Sequence, residues 1–315
     1  VGASTDHPLT GTAMNASEYR AAYLILAHRQ PGQVARLVGR LQHPQVRLWV
    51  HVDRRADEAE FRRWLHPSEV TFIQPRYRIR WGRYSLVEAT LAGLRAIQES
   101  GFPYQHALVL SGQDYPLASH DRLLGYLARH AGTSFVHHGP LSEPNNAHLR
   151  PRLGQYHLPL PGNRALVYPY ASGGSLKRTL NAVLRFSGRY PLPRVLPGGH
   201  APYFGSNWVR LSPAALGWVL GQVDTNPGIE RFFRYCAVPD EHIFQTILLN
   251  ATEAERGPIL NTNLTYAHWH RPPDRYHQPL GLADLDALLT SGCWLARKFD
   301  EQVDGKILDR LDALT

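Results

Sequence analysis

Two apolar runs separated by a helical pattern constrain this chain more than anything else in it. AYLILAH, Ala22 to His28, is continuously apolar up to its polar end, and RLWVHVD, Arg47 to Asp53, repeats that design. Between them, after Pro31 and Gly32, Val34, Leu37, Val38 and Leu41 recur at helical spacing. Strand, helix, strand in this order is the unit of an α/β sheet, and each strand delivers polar groups at its C-terminal end. Ligands of open α/β sheets bind at that edge, so His28 and Asp53 become candidates before any motif is considered.

The pattern continues. Short strands are expected at Val70 to Ile73 and His106 to Leu110, with a helix from about Ser85 to Glu99 between them. A helix at Asp121 to His130 and a strand at Ser134 to His138 follow. Between Gly139 and Gly205 the prolines and glycines cluster, as in PLPGN, ASGGS and LPGGHAPYFG, and long loops over a sheet edge are expected there, with one helical patch near Leu180 to Phe186. Helices return at Pro213 to Leu220, Pro239 to Asn250, Asp284 to Leu289 and Ile307 to Leu314, with a strand in CWLARKF. The expected organisation is a tail over residues 1–19, whose first 13 residues precede the only methionine, Met14, and read in part as foreign to the natural chain, then a single domain over 20–315.

With 43% hydrophobic and 19% charged residues the chain is an ordinary folded protein, and nowhere do apolar residues run long enough to span a bilayer. Two cysteines, Cys236 and Cys293, exclude a disulfide framework, and a reducing cytoplasm is the expected compartment. The net charge of +8 is carried almost wholly by arginine, whose planar fork suits phosphate. These basic residues are scattered, with no run that marks a nucleic-acid arm, so no nucleic-acid partner is expected.

Glu241, in PDEHIFQTILLN, is the leading catalytic candidate. Pro239 suits the first turn of a helix whose buried face is Ile243, Phe244, Ile247 and Leu248. A carboxylate there stays ionised and ready to accept a proton, although acidic residues also open helices for purely structural reasons. Arg297 and Lys298 in LARKFD are either cations for a leaving diphosphate or a solvated basic pair. Trp208, Tyr266 and Trp269 are sugar-stacking candidates or core aromatics. The pairs His137/His138 and His268/His270 lack the spacing of a metal site, and Asp284-Leu285-Asp286 reads as a helix cap, so no metal is expected.

In order along the chain, AYLILAH…VHVD, Trp81-Gly82-Arg83-Tyr84-Ser85, LSGQDYPL, FGSNWVRLS, PDEHIFQT and LARKFD resemble the core 2/I-branching β-1,6-N-acetylglucosaminyltransferase and peptide O-xylosyltransferase family, over about Ala22 to Asp309. The resemblance implies a GT-A fold, a Rossmann-like mixed sheet with helices on both faces. It also implies an inverting transfer of a sugar, N-acetylglucosamine or xylose, from a UDP-sugar to a glycan hydroxyl, with no cofactor and no required metal. It places Leu26, His28, Asp53 and Trp81 on the nucleotide, Glu241 as base, and Lys298 with Arg275 (or its competitor Arg271) on the diphosphate. Asp114, Glu143, Arg152, Tyr266 and Trp269 fall on the sugar and acceptor side. Few cysteines and no anchor point to a bacterial member, one that meets a membrane surface only if its acceptor is lipid-linked. The rival readings are a binding protein for a nucleotide or carbohydrate that keeps the fold without turnover, and a basic nucleic-acid binder.

Overall fold

A computed structural model describes residues 17–159, 165–168, 179, 194–267 and 278–314. The strand–helix–strand unit forms as the apolar pattern requires. β1 (Ala21–Ala27) and β2 (Val46–Val52) run parallel, joined by the helix Pro31–Leu41. Every residue of β1 is buried. Successive side chains of a strand face opposite ways, so Tyr23 and Ile25 enter one core while Ala22, Leu24 and Leu26 enter another. The first core is closed by the helices Pro31–Leu41, His120–Arg129 and Lys306–Leu314, the second by Tyr84–Glu99, Pro213–Thr225 and Ile243–Leu249. Helices therefore cover both faces of the sheet.

That sheet adds β3 (Thr71–Phe72), β4 (His106–Ser111), β5 (Ser134–Phe135), β6 (Arg210–Leu211) and β7 (Ile259–Leu260), in the order β7-β5-β6-β4-β1-β2-β3. β6 is antiparallel to β4 and β5 and the other pairings are parallel, which makes the sheet mixed, as expected. A smaller sheet joins Thr265–Ala267 to Leu295–Arg297 and that strand to Tyr115–Pro116. It swings the LARKFD segment onto the C-terminal edge of the large sheet, beside the turn that follows β4.

Several elements differ from the pattern-based expectation. The single helix expected from Pro239 to Asn250 is broken: Pro239–Glu241 is a 3-10 turn and the α-helix runs only over Ile243–Leu249. His242, at φ −133° and ψ −40°, interrupts it because its ring Nδ1 bonds the carbonyl of Tyr203 at 3.0 Å. Glu241 thus precedes the α-helix instead of occupying its first turn. The segment expected as loops contains the 3-10 turn Pro144–Leu149, the short helix Arg150–Gly154 and a hairpin of Tyr156–Pro159 with Ala165–Tyr168; the patch near Leu180 to Phe186 lies outside the described residues. The strand expected over Ser134 to His138 divides into β5 and His138–Pro140.

Helices Glu58–Trp64 and Pro227–Phe233 were not anticipated; Asp57 and Asn226 cap them by accepting from the backbone N–H of Ala59 and Gly228. The Asp284-Leu285-Asp286 triplet lies at the start of the helix Leu285–Thr290, and Asp284 caps the 3-10 turn Leu282–Asp284 before it by accepting from Gly281 N–H at 2.9 Å. Both cysteines are free. Among the described residues no helix is long and apolar enough to cross a membrane.

Candidate active site

The edge of the sheet assembles three groups of side chains. At the ends of β1 and β2, Asp53 N–H donates to the Ala27 carbonyl at 2.8 Å, which sets Asp53 directly beside His28. The Asp53 carboxylate is buried and accepts from Arg55 N–H at 2.8 Å, from Ile79 N–H at 3.2 Å and from the Arg55 guanidinium at 2.8 and 3.1 Å. Burial works to raise its pKa, but the Arg55 bonds with that of Ile79 win and hold it below the ordinary value. Asp53 therefore fastens the loop that leads to Trp81. Beneath it His51 accepts from Tyr77 N–H at 2.9 Å, and burial lowers its pKa to about 4.

Trp81 is 75% exposed, so its ring serves no core and presents a free face. His28 is solvent-accessible as a residue, yet its ring is sheltered enough that desolvation and then Arg29 lower its pKa, Asp53 pulling the other way. Leu26 is a core residue: its side chain packs under the helices of the second core and its carbonyl accepts from Gly112 N–H at 3.0 Å.

Lys298 lies on the same edge. Its charge is felt by His28, and its own pKa is lowered by desolvation and then by Arg297, with Asp114 opposing. Among the described residues no carboxylate stands within ion-pair distance of its ammonium. Arg297, the preceding residue, has a side chain 12% exposed, sets its Nε 3.1 Å from Asp114 Oδ1, and lays its guanidinium over the Trp208 ring at 3.8 Å.

The third group surrounds Glu241. Arg152 Nη1 donates to Glu241 Oε2 at 2.5 Å, with both side chains about one-third exposed (32% and 29%). Asp240 is buried, its Oδ1 has no hydrogen-bond partner among the described residues, and burial followed by the Glu241 charge pushes its pKa up to about 7. Arg297 in turn feels Asp114, Asp240 and Glu241, which joins this group to Lys298.

The turn that carries Glu241 is sewn down from several sides. Val238 adopts the left-handed conformation (φ 47°) and donates its N–H to the Gly82 carbonyl at 3.1 Å. Ala237 donates to the Arg152 carbonyl at 3.0 Å, and His242 Nδ1–H, held neutral by burial at a pKa of about 4, donates to Tyr203.

The structure thus brings together His28, Asp53, Lys298, Asp114, Arg152 and Glu241. Glu143 stays outside this cluster: it is exposed, begins the 3-10 turn and accepts from Asn146 Nδ2 at 3.3 Å. Tyr266 sits beside Ala296 in the smaller sheet, partly packed on the core. Trp269, Arg271, Arg275, His268 and His270 lie outside the described residues. Among the described residues no group of His, Cys, Asp or Glu is arranged to hold a metal ion. The pattern did not single out Asp240, Asn207 or Arg210. Asn207 is 3% exposed with both amide atoms unpartnered among the described residues, and the fully buried Arg210 donates to the Trp208 carbonyl at 2.5 Å. Nothing in residue type or spacing distinguishes these from ordinary loop and strand residues.

Comparison with known proteins falls on the same stretch. A model of the family described as Core-2/I-Branching enzyme matches residues 21–289. Human xylosyltransferase 2 is 24% identical over 339 residues, covering 99% of this chain and 35% of that protein. A β-glucuronosyltransferase of Arabidopsis thaliana is 25% identical over 311 residues, covering 93% of this chain and 63% of its own length. This chain therefore spans about a third of the xylosyltransferases it matches. Among solved structures, apo mouse xyloside xylosyltransferase 1 aligns with 88% of this chain and 97% of its own at 9% identity, with a TM-score of 0.38.

Proposed function

The chain belongs to the Core-2/I-branching enzyme family, and from that premise we propose that it is an inverting glycosyltransferase that moves a sugar from a UDP-sugar to a hydroxyl of a glycan or peptide acceptor. The observation that carries this reading is a partly exposed carboxylate, Glu241, whose charge acts on Arg297, the residue that precedes Lys298 at the ligand edge of the sheet. Glu241 accepts the proton of the acceptor hydroxyl while that oxygen attacks the anomeric carbon from the face opposite the leaving group. The bond to the diphosphate breaks in the same step, so the configuration inverts.

Negative charge grows on the departing diphosphate, and a fixed cation aimed at it stabilises the transition state more than the ground state. Lys298, which has no carboxylate partner among the described residues, takes that role in this reading, with Arg275 or Arg271 beside it in function. The availability of these cations supports a reaction that needs no metal. His28, the Asp53 loop and the exposed face of Trp81 hold the uridine. Arg152, already bonded to Glu241, orients the base while the acceptor enters; Glu143, Tyr266 and Trp269 contribute at the periphery of the acceptor. The relatives' names suggest xylose or glucuronic acid beside N-acetylglucosamine as the donor sugar.

The test is UDP release from a panel of UDP-sugars, with water or added glycans as acceptor. Glu241→Gln should retain UDP binding and lose about 10³-fold in turnover, and excess chelator should leave the wild-type rate unchanged. Turnover that collapses in chelator and returns with manganese would sink the metal-free account. UDP binding with no turnover on any donor would leave a nucleotide-binding protein.

A further inference from the structure

Asp114 and Arg297 lie where sugar and diphosphate contacts are expected, yet their geometry turns them toward the protein. Asp114 is 1% exposed, and its Oδ2 is occupied by the Ser111 hydroxyl at 2.6 Å and by Ser111 N–H. Its Oδ1 faces Arg297 Nε at 3.1 Å, charge to charge, without the alignment of a hydrogen bond. The guanidinium carbon of Arg297 stands 3.8 Å from the Trp208 ring centroid, and Arg210, fully buried, donates to the Trp208 carbonyl at 2.5 Å and to Thr265 Oγ1 at 2.6 Å. Asp114 is the carboxylate that opposes the burial of both arginines.

We infer that Asp114, Arg297 and Trp208 form a positioning unit that sets the distance between Lys298 and Glu241, and that Arg297 does so without binding the diphosphate. The inference rests on the glycosyl-transfer reading of the site. A guanidinium held over an indole and paired with a buried carboxylate is restrained by two partners at once, which an ammonium would not be. Lys298 follows Arg297 in the chain, and Phe299 beyond it is pinned: its carbonyl accepts from Gln33 Nε2 at 3.2 Å and Gln113 Nε2 at 3.3 Å, and its N–H donates to the Gln113 carbonyl at 2.9 Å. With the next residue pinned, the direction of the Lys298 side chain is set by what holds Arg297. The charges of Asp240 and Glu241 also act on Arg297, so one guanidinium links the leaving-group cation to the base turn.

Positioning and binding differ in which kinetic constant they move. In Arg297→Gln, kcat for UDP release should fall about 100-fold, the effect of roughly 1 Å of misplacement, while the UDP Kd measured by calorimetry moves less than about tenfold. Asp114→Asn should give the same split, and the double variant should be no worse than either single one, because the residues act as one unit. Trp208 is only half-buried, so it carries the test if the charge variants fail to fold: Trp208→Leu should reproduce the kcat loss and Trp208→Phe should recover part of it. A UDP Kd that weakens in step with kcat in Arg297→Gln overturns the inference, since Arg297 would then hold the diphosphate directly; so does an unchanged kcat in Arg297→Gln or Trp208→Leu. If Glu241→Gln turns over UDP-sugar at the wild-type rate, the transfer reading falls and this inference with it.

Discussion

The nucleotide edge and the base turn are built by different means. His28 and Asp53 end seven-residue strands whose position follows from burial on both faces, and the partners of Asp53 come from within its own loop and the next. Glu241 stands on a 3-10 turn stabilised by carbonyls of Gly82, Arg152 and Tyr203, residues drawn from three separate stretches of the chain, and its carboxylate is aimed by Arg152. The first region is set by a hydrophobic pattern, the second by long-range polar ties. Damage to the binding edge should therefore stay local, whereas the reacting end should be sensitive to changes far from it in sequence.

The largest effect tests whether the two regions meet at the diphosphate. Lys298→Gln removes a half-buried cation that has no carboxylate partner among the described residues, so it leaves no buried countercharge stranded and the fold should stand. Turnover should fall by about 10²–10³, the usual worth of one electrostatic contact to a leaving group, with weaker UDP binding. Release of UDP within about threefold of wild type would mean that the cation and the base serve different ligands.

A smaller effect separates the regions by stability. A Cβ on Gly205 would lie 1.8 Å from the His137 carbonyl oxygen, a backbone atom that Ser206 N–H also engages, whereas a Cβ on Gly93 would lie 2.3 Å from the tip of the Leu24 side chain. Backbone in a bonded strand pair yields less readily than a leucine methyl, even in a packed core. Gly205→Ala should cost at least the upper end of about 1–3 kcal/mol and Gly93→Ala its lower end, read from urea midpoints. Gly205→Ala should also depress turnover, because Gln245, on the helix that follows Glu241, bonds the neighbouring Ser206 carbonyl at 2.8 Å. Equal losses in both variants would remove the distinction between the regions.

The same division decides what was legible in the sequence. β1, β2, β4 and the helices between them announce themselves through runs and periods, and with them came His28, Asp53 and the edge they share. The motif LARKFD gave Lys298. Glu241 was legible as a candidate but not as the residue of a broken turn, because the break comes from the His242–Tyr203 bond across 39 residues, which no local pattern encodes. Arg152, carried over from family resemblance, acquires its physical reason only when Glu241 is beside it. Asp114 is a sugar-side candidate only through the family resemblance; its burial against Arg297 appears only in three dimensions. Asp240 carries no sequence signal of its own, because an acidic residue one place from a base candidate reads as part of the same helix start.

Asp240 also supplies the smallest and most specific test, a slope. His51, His106, His120 and His242 are held by burial to pKa values of about 4, below the 6.5 of an exposed histidine. Between pH 4 and 6.5 the unfolded chain binds protons at these rings that the folded chain does not, so each makes stability rise with pH across that window. Asp240 has the opposite sign: its folded pKa of about 7 exceeds the unfolded value of 3.8, the folded state keeps a proton the unfolded state has released, and stability from this group is lost as pH rises toward 7. The wild-type protein should therefore gain stability from pH 4 to 6.5 with a slope reduced by about one proton. Asp240→Asn removes that opposition, so its urea midpoint should climb more steeply over the same range. Parallel slopes would mean that Asp240 is already ionised in the folded protein. The base would then sit beside a second full negative charge, and the base turn would be held, like the nucleotide edge, by ordinary ion pairing.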